Sequence, residues 1–359
     1  MEITGYDKKQ LEEFISSTEF MAMDILPITR HRALSHIHNP HAGENDLLLF
    51  IARENNRMIA YAGVLADEII LEGKKEKCGW FSLFWVHPDF RGKGIGKKMM
   101  EHVITQWNEK LLVADYVPAT KNIYSRTGKF SDLSPKEGWR CFLYFNLAEV
   151  LPPKNKFFTV IRPLLGFADL FLNLFAGIRF LFIRSKKSSD SVTEIKFAEE
   201  KHQAIIDRHN NSAFKKTVNE LNWIKNFPWV LSPENEKEMK RFHFSSYANY
   251  FFTGIYEIKS ENKISGLMMI TIKNGHLKIP YFFGDRNAAT VATGFIVSEM
   301  RNKHLSMATV FHSEICEELK KTKGVFVAKR NFKRHYLISK TFGTTNIKLN
   351  DGDGDCGFT

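Results

Sequence analysis

The chain has few cysteines, and their spacing points to neither a metal site nor a disulfide framework. Its 359 residues include 4 cysteines, which lie far apart and form no CxxC pair. That spacing argues against a zinc ribbon and against a disulfide scaffold. The amino-terminal residues also lack the basic stretch and apolar stretch of a secretory signal. We therefore expect reduced, packed cysteines and a cytoplasmic location.

Two common phosphate-binding motifs are also absent. The chain has no Walker sequence GxxxxGK[ST], and the glycines at 92, 94 and 96 do not fit the dinucleotide pattern GxGxxG. No stretch interleaves Lys or Arg with base-stacking aromatics as nucleic-acid-binding modules do. These absences disfavour nucleic acid as a partner. The net charge of +11 still favours an anionic one, such as a phosphorylated ligand or an acidic membrane surface.

The length and the order of the patterns predict two domains. A chain of 359 residues is too long for one ordinary core. Strand-like runs followed by a helix occupy the first half, and the second half repeats this order without visible sequence repetition. We predict two similar α/β domains with mixed sheets, at 1–150 and 191–345. An apolar helical linker at 151–190 joins them, and a turn-rich tail follows at 346–359.

The stretch with the clearest chemistry is WFSLFWVHPDFRGKGIGKKMM at 80–100. An apolar strand leads into a loop with three closely spaced glycines, and an amphipathic helix follows. Glycines let the backbone turn tightly and let its N–H groups approach a ligand. The first N–H groups of a helix are unpaired and lie at its positive end, which suits a pyrophosphate. Nearby side chains add positive charge: Arg91, Lys93, Lys97 and Lys98.

The loop resembles the acyl-CoA motif [QR]xxGx[GA] of the GNAT superfamily of N-acyltransferases. The wider segment VHPDFRGKGIG at 86–96 also agrees with that family, and the resemblance covers about 150 residues, a typical domain size. It implies the GNAT α/β fold, acetyl-CoA as the acyl donor and direct transfer to a primary amine. It also implies two sets of cofactor-binding residues. Phe84, Trp85 and Val86 would lie along the pantetheine arm, and Arg91, Gly92, Lys93, Gly94, Ile95 and Gly96 would hold the pyrophosphate.

The resemblance also implies two catalytic groups. The segment NIYSRTGKF at 122–130 is similar to the family's short helix, in which a tyrosine lies near the CoA sulfur. On this interpretation Tyr124 protonates the departing thiolate, because a phenol with an unperturbed pKa of about 10 stays protonated at neutral pH. The alternative is a packed aromatic side chain. The backbone N–H of Val86 is the predicted stabiliser of the developing oxyanion.

The general base stays open at this point. No carboxylate lies on residues 80–87, where some relatives carry one. The remaining candidates are Glu68, His36, His38 and Asp115.

A histidine-rich loop is predicted at 31–41, where the family holds its acceptor. The irregular spacing of its histidines, with no paired carboxylate, predicts no metal site. These histidines are His31, His36, His38 and His41. We expect a small amine acceptor there, with an amino sugar as one option.

The second half looks like a GNAT-type domain without a phosphate loop. After the predicted strand 276–284 the sequence reads GDRNAA, which lacks the needed glycines. The resemblance therefore extends to a tandem arrangement with a degenerate second half that walls the acceptor pocket. The final NDGDGDCGFT at 350–359 resembles part of an EF-hand loop but lacks its last ligand, which leaves a turn-rich tail.

The linker carries a very apolar helix at 157–184. Its polar residues fall on one stripe, and its charges interrupt a membrane span, which needs about 20 apolar residues. We predict that it packs between the two domains as shared core. The second option is peripheral contact with a membrane, helped by basic flanking residues. Two other functions stay open: a non-catalytic acyl-CoA-binding scaffold, and a membrane-peripheral acyltransferase that acts on an envelope amino sugar.

Overall fold

The computed structural model describes residues 1–114, 118–178 and 190–359, with only the backbone of residues 118–120 and 153. The helices are α1 Lys8–Ser16, α2 Thr18–Ala22, α3 Arg30–Ile37, α4 Ile95–Gln106, α5 Pro118–Arg126, α6 Leu147–Val150, α7 Phe157–Val160, α8 Arg162–Ile178, α9 Gln203–His209, α10 Val218–Asn226, α11 Glu236–Arg241, α12 Arg286–Asn302 and α13 Ser313–Lys321. The strands are β1 Glu2–Tyr6, β2 Leu49–Glu54, β3 Arg57–Leu71, β4 Lys74–Val86, β5 Leu111–Ala114, β6 Phe130–Asp132, β7 Lys136–Phe142, β8 Ser191–Ile195, β9 Val230–Leu231, β10 Ser246–Tyr247, β11 Phe251–Ser260, β12 Lys263–Lys273, β13 His276–Gly284, β14 Met307–Val310, β15 Ala328–Arg334 and β16 Tyr336–Ser339.

The first compact unit comprises residues 1–136, 197–251 and 333–359. Its 7-stranded sheet has the order β1-β2-β3-β4-β5-β16-β6. Strands β4 and β5 run parallel, and the pairs that flank them are antiparallel. The helix α4 buries Met99, Met100 and Val103 in the core beside the sheet. The helix α4 connects β4 to β5, and two parallel neighbouring strands require a crossover connection of this kind.

The second compact unit comprises residues 137–196 and 252–332. Its 7-stranded sheet has the order β15-β7-β14-β13-β12-β11-β8, with β13 and β14 parallel. The helix α12 buries Ala288, Ala292 and Ile296 in its core. Both units therefore carry a mixed sheet with a helix between two parallel strands, as the element order of the sequence predicts.

Each sheet takes one strand from a distant part of the chain. The strand β16 lies between β5 and β6 in the first sheet, and β7 lies between β14 and β15 in the second. Residues 197–251 also belong to the first unit. The compact units are therefore not contiguous in sequence, unlike the domains predicted at 1–150 and 191–345.

The histidine-rich stretch forms a helix rather than the predicted loop. Thr29 caps the helix α3, because its side chain accepts a hydrogen bond from the backbone N–H of Arg32. The predicted tail at 346–359 does contain turns and ends in a 3-10 helix, Gly354–Phe358, but its residues 351–359 are all buried or half-buried. Phe358 stacks on Trp229 with 4.7 Å between the ring centroids, so this tail is part of the core of the first unit.

The prediction that the linker helix packs as shared core is wrong for the described residues 157–178. Large apolar side chains of α7 and α8 are exposed, including Leu164, Phe167 and Leu170 at 69–71%. Asp169 is the one residue of α8 that is buried. Residues 179–184 of the predicted helix lie outside the described residues.

Candidate active site

The glycine loop forms a tight turn between β4 and α4. Gly92 and Gly94 have φ values of +79° and +78°, a left-handed conformation that favours glycine. A Cβ added to either one would meet no atom of the described residues within 4 Å. The backbone of the loop is therefore accessible to a ligand from this side. The side chains of Arg91 and Lys93 are exposed beside it.

The amino terminus of α4 offers open hydrogen-bond donors. Gly94 is its N-cap residue and provides no side-chain cap. The N–H of Lys98 makes the first bond of the helix, to the carbonyl of Gly94 at 3.1 Å. Among the described residues, no hydrogen bond is found for the N–H groups of Ile95, Gly96 and Lys97. Such donors at the positive end of a 12-residue helix form an anion-binding site.

The matching helix of the second unit is closed to an anion. Asp285 caps α12, and its carboxylate accepts a hydrogen bond of 2.9 Å from the N–H of Ala288. A Cβ on Gly284 would lie 2.8 Å from the Cβ of Ala288, so the backbone is also packed closely here. The protein's own carboxylate thus occupies the place where a phosphate would bind.

Within the described part of the chain, the strand β4 has an open edge next to the glycine loop. Its ladder with β5 ends at the pair Phe81–Val113. Beyond it the N–H of His87 donates to the carbonyl of Ile59 on β3 at 2.8 Å. Because bonded and non-bonded pairs alternate in an antiparallel ladder, the pairs that include Val86 and Phe84 are non-bonded. The N–H groups of these two residues therefore point away from β3, towards the open edge, whereas Trp85 is bonded to β3.

Side chains alternate between the two faces of this strand. An added Cβ on Gly96 would lie 3.5 Å from Val86 and 3.6 Å from Phe84, so these two residues face α4. Trp85 faces the opposite side, where its ring stacks on Tyr61 at 5.1 Å between centroids. The glycine loop and the surroundings of Trp85 thus lie on opposite faces of one strand.

Tyr124 lies where the ladder between β4 and β5 ends. Its ring contacts Phe81 at 5.7 Å between centroids, and Phe81 is the last paired residue of that ladder. The side chain is 6% exposed and also contacts Phe130. Burial, and then the charge of Asp355, raise the pKa of Tyr124 well above its usual value. The phenol is therefore protonated at neutral pH.

A cluster of buried polar groups lies on the Trp85 face of the sheet. We call it the polar cluster; its members are Arg32, Tyr61, Ser82, Trp85 and Trp229. The guanidinium carbon of Arg32 lies 3.7 Å from the centroid of the Trp229 ring. The same side chain donates a hydrogen bond of 2.6 Å to the carbonyl of Ser82, the extra residue at a bulge of β4. Burial lowers the pKa of Arg32 to about 10, so it stays charged at neutral pH.

Several polar atoms of this cluster have no protein partner within the described part of the chain. They are Nε of Arg32, Oη of Tyr61, Oγ of Ser82, and Nε1 of both Trp85 and Trp229. Buried donors are rarely left without a partner, so such atoms bind water or a ligand. Three of the five are N–H donors and the other two are hydroxyls, so a molecule that binds here needs oxygen acceptors.

Asp355 connects this cluster to Tyr124. Its Oδ2 lies 4.0 Å from the guanidinium of Arg32, and its side chain is 28% exposed. It is also close enough for its charge to act on Tyr124. Sequence analysis predicted that this aspartate lies in a turn-rich tail and assigned it no function. The only local feature that could have indicated a functional residue was the run of aspartates and glycines around it. Trp229 and Arg32 carried no local signal either.

The predicted base candidates occupy different surroundings. His36 is fully buried and stacks on Trp229, and burial and the charge of Arg32 lower its pKa to about 3. His38 stacks on Phe227 at 4.8 Å between centroids. Glu68 lies 3.8 Å from Lys75 and 3.7 Å from the ring of His41. Asp115 lies outside the described residues.

His41 belongs to a separate charged network rather than to an acceptor loop. Its Nε2 lies 2.6 Å from Glu220 and 3.6 Å from Asp67. These three groups are close enough together to share a metal ion. The ammonium of Lys216, however, lies 3.4 Å from Glu220 and 3.6 Å from Asp67. A lysine already supplies the positive charge that these carboxylates require.

The pKa values of this network follow from its contacts. Burial would lower the pKa of His41, but the hydrogen bond to Glu220 and the charge of Asp67 raise it above its usual value. Burial would raise the pKa of Glu220, but the charge of Lys216 and the bond from His41 lower it to about 2. His31, the last of the four histidines, has a buried Nδ1 without a partner among the described residues.

The glycine loop thus lies at the amino terminus of α4, near the point where the ladder of the parallel strands β4 and β5 ends. Residues 14–122 match the profile of the Acetyltransferase (GNAT) family. These residues therefore form a GNAT acetyltransferase domain, and N-acyl transfer is the general activity that the match supports. Among curated proteins, no relative matches the chain.

Solved structures share the fold over most of the chain. A protein of unknown function from Enterococcus faecalis V583, described as a probable N-acyltransferase, has a TM-score of 0.55 and 10% identity, and the match covers 94% of this chain and 72% of that one. A GCN5-related N-acetyltransferase from Anabaena variabilis has a TM-score of 0.51 and 10% identity, with 93% and 72% covered. The predicted fold class is confirmed.

Proposed function

We propose that the first unit transfers an acetyl group from acetyl-CoA to a primary amine. The observation that carries this proposal is the uncapped amino terminus of α4, with Gly92 and Gly94 open to a ligand. The N–H groups of Ile95 and Gly96 would hold the pyrophosphate, with Arg91 and Lys93 adding charge. The blocked terminus of α12 supports the assignment of a single donor site to the first unit.

The open edge of β4 would bind the rest of the donor. Phe84 and Val86 direct their N–H groups to this edge, so they would pair with the amides of the pantetheine arm, in the way that an added strand would. The same geometry lets the N–H of Val86 stabilise negative charge on the thioester carbonyl oxygen during attack. Trp85 would contribute through its side chain on the other face, because its backbone is bonded to β3.

Tyr124 and Asp355 would carry out the two proton transfers of the reaction. The amine must lose a proton to attack, and the thiolate of CoA must gain one to leave. Tyr124 is protonated at neutral pH and lies at the end of the paired region, so it would donate to the thiolate. Asp355 is a carboxylate that acts on both Arg32 and Tyr124, so it would accept the proton of the amine.

The polar cluster would hold the acceptor. Its unpartnered N–H donors require oxygen atoms on the ligand, and its rings offer flat apolar faces. The buried charge of Arg32 would repel a polyamine. A small amine rich in hydroxyl groups, such as an amino sugar, fits these requirements.

An acceptor screen tests this function. Acetyl-CoA would be incubated with amino sugars, amino acids or polyamines, and released thiol would be measured. We expect turnover with amino sugars and none with polyamines. Turnover with polyamines alone would refute the role of Arg32. Thiol release that persists in a folded Gly94→Glu variant would refute the donor site.

A further inference from the structure

The surface formed by α7 and α8 is unusual for a protein in water. Large apolar side chains along it are between 49% and 80% exposed. We call this surface the apolar face; its members are Phe157, Val160, Leu164, Phe167, Leu170, Phe171, Leu174, Phe175 and Ile178. Most lie three or four residues apart, which places them on one side of a helix. Soluble proteins rarely expose a continuous apolar surface of this kind unless it binds something.

The polar side of α8 is fixed to the second unit. The carboxylate of Asp169 accepts hydrogen bonds from the N–H groups of Leu147 and Ala148 at 2.7 and 2.9 Å. The side chain of Asn173 bonds to both the N–H and the carbonyl of Phe145 at 2.7 and 2.9 Å. The helix is therefore held with its polar residues inward and its apolar residues outward, the reverse of an ordinary surface helix.

Charge around the apolar face is mostly positive. Lys154 and Lys156 are exposed just before α7. Arg162 pairs with Glu149 at the start of α8. Between Lys154 and Ile178 the only acidic residue is Asp169, which is buried.

This combination selects an anionic lipid surface over a second copy of the chain. Two copies joined through this face would bring an excess of basic residues together, and like charges across an interface are unfavourable. Anionic headgroups would neutralise these residues. No helix in the described part of the chain is long and apolar enough to cross a bilayer, which leaves a position in the plane of the membrane.

We infer that the apolar face docks the protein on an anionic membrane, with α8 parallel to the surface and its apolar side chains inserted to about 5–10 Å. A cleft of about 920 Å³ adjoins the face and continues its apolar surface. Phe167, Leu170, Phe171 and Leu174 contribute to it from α8. This inference rests on the second unit alone and does not depend on the chemistry of the first.

Vesicle flotation tests the inference. The full chain would be mixed with phosphatidylglycerol-rich vesicles or with phosphatidylcholine vesicles, at low and high salt. We expect flotation with the anionic vesicles that weakens as salt rises. Phe167→Glu should reduce binding about tenfold or more, because it removes a buried ring and adds a repelled charge. Phe167→Leu, which keeps the surface apolar, should bind almost normally.

Met21→Glu is the matched control. Met21 is 59% exposed on α2, away from the apolar face in sequence, and this change adds the same charge to the protein. Its flotation should equal that of the wild type. Equal flotation of Phe167→Glu and wild type, both folded by circular dichroism, would overturn the inference. The inference would also be overturned if the protein did not float and light scattering showed a dimer that Phe167→Glu dissociates. The occupant of the apolar face would then be a second copy.

Discussion

Replacing Gly94 by glutamate perturbs the donor site at one position. Gly94 has a φ of +78°, and an L-residue in this conformation costs about 1–2 kcal/mol of folding free energy. The new carboxylate would lie at the amino terminus of α4, as Asp285 does at α12. It would compete with the pyrophosphate for the same N–H groups. The loss of two charge-assisted hydrogen bonds, at about 1.5–3 kcal/mol each, predicts an affinity for CoA that is weaker by about 10²–10⁴-fold.

Gly73 offers a control with the same backbone geometry. Its φ is also +78°, and an added Cβ would likewise meet nothing within 4 Å. It lies in the hairpin between β3 and β4, outside the glycine loop. Gly73→Glu should therefore lower the melting temperature about as much as Gly94→Glu while leaving CoA affinity unchanged.

Isothermal titration calorimetry with CoA measures the affinities, and thermal unfolding confirms that both variants fold. A folded Gly94→Glu protein that binds CoA as tightly as wild type would refute the assignment of the glycine loop. An equal loss of affinity in Gly73→Glu would show that general strain, rather than the local carboxylate, causes the effect.

Three further predictions concern the proton-transfer groups and the charged network. Tyr124→Phe should lower kcat by about 10²–10⁴-fold with CoA affinity retained; an unchanged kcat in single-turnover measurements would assign the proton to another group. Asp355→Asn should lower kcat/KM by a similar factor with CoA affinity retained, and a kcat/KM equal to that of wild type would exclude Asp355 as the base. Glu220 has a pKa of about 2 in the folded protein, below its usual 4.5, so its stabilising effect is complete above pH 4.5 and is lost as the pH falls towards 2. Calorimetry of Glu220→Gln should therefore show a lower melting temperature than wild type at neutral pH. Its melting temperature should also fall less than that of wild type as the pH is lowered from 4.5 towards 2; an equally steep fall would contradict the assigned pKa.

The sequence by itself determined the donor loop. Its glycines, the preceding strand and the following helix are contiguous between residues 80 and 106, so each part specifies local backbone geometry without help from elsewhere. The missing glycines after β13 likewise predicted a second unit without this loop. The structure adds the physical detail that Asp285 fills the helix terminus there.

The face that α8 presents could not be determined from its sequence. Its periodicity defines an apolar side and a polar side, but either can face the protein. The outcome depends on backbone N–H groups at 145–148, which bind Asp169 and Asn173 and leave the apolar side outward. Burial of the apolar side as shared core was therefore a reasonable expectation that long-range hydrogen bonds overturned.

Tertiary structure alone decided the composition of the polar cluster and of the sheets. Arg32, Trp85, Trp229 and Asp355 come from four distant parts of the chain, and each is an ordinary residue in its local context. The strand β16 likewise pairs with β5 across more than 200 positions of sequence. Local patterns fix which residues form a strand or helix. The packing of apolar faces and the pairing of strand edges then decide which distant segments meet, because burial and hydrogen bonding act on the whole folded chain at once.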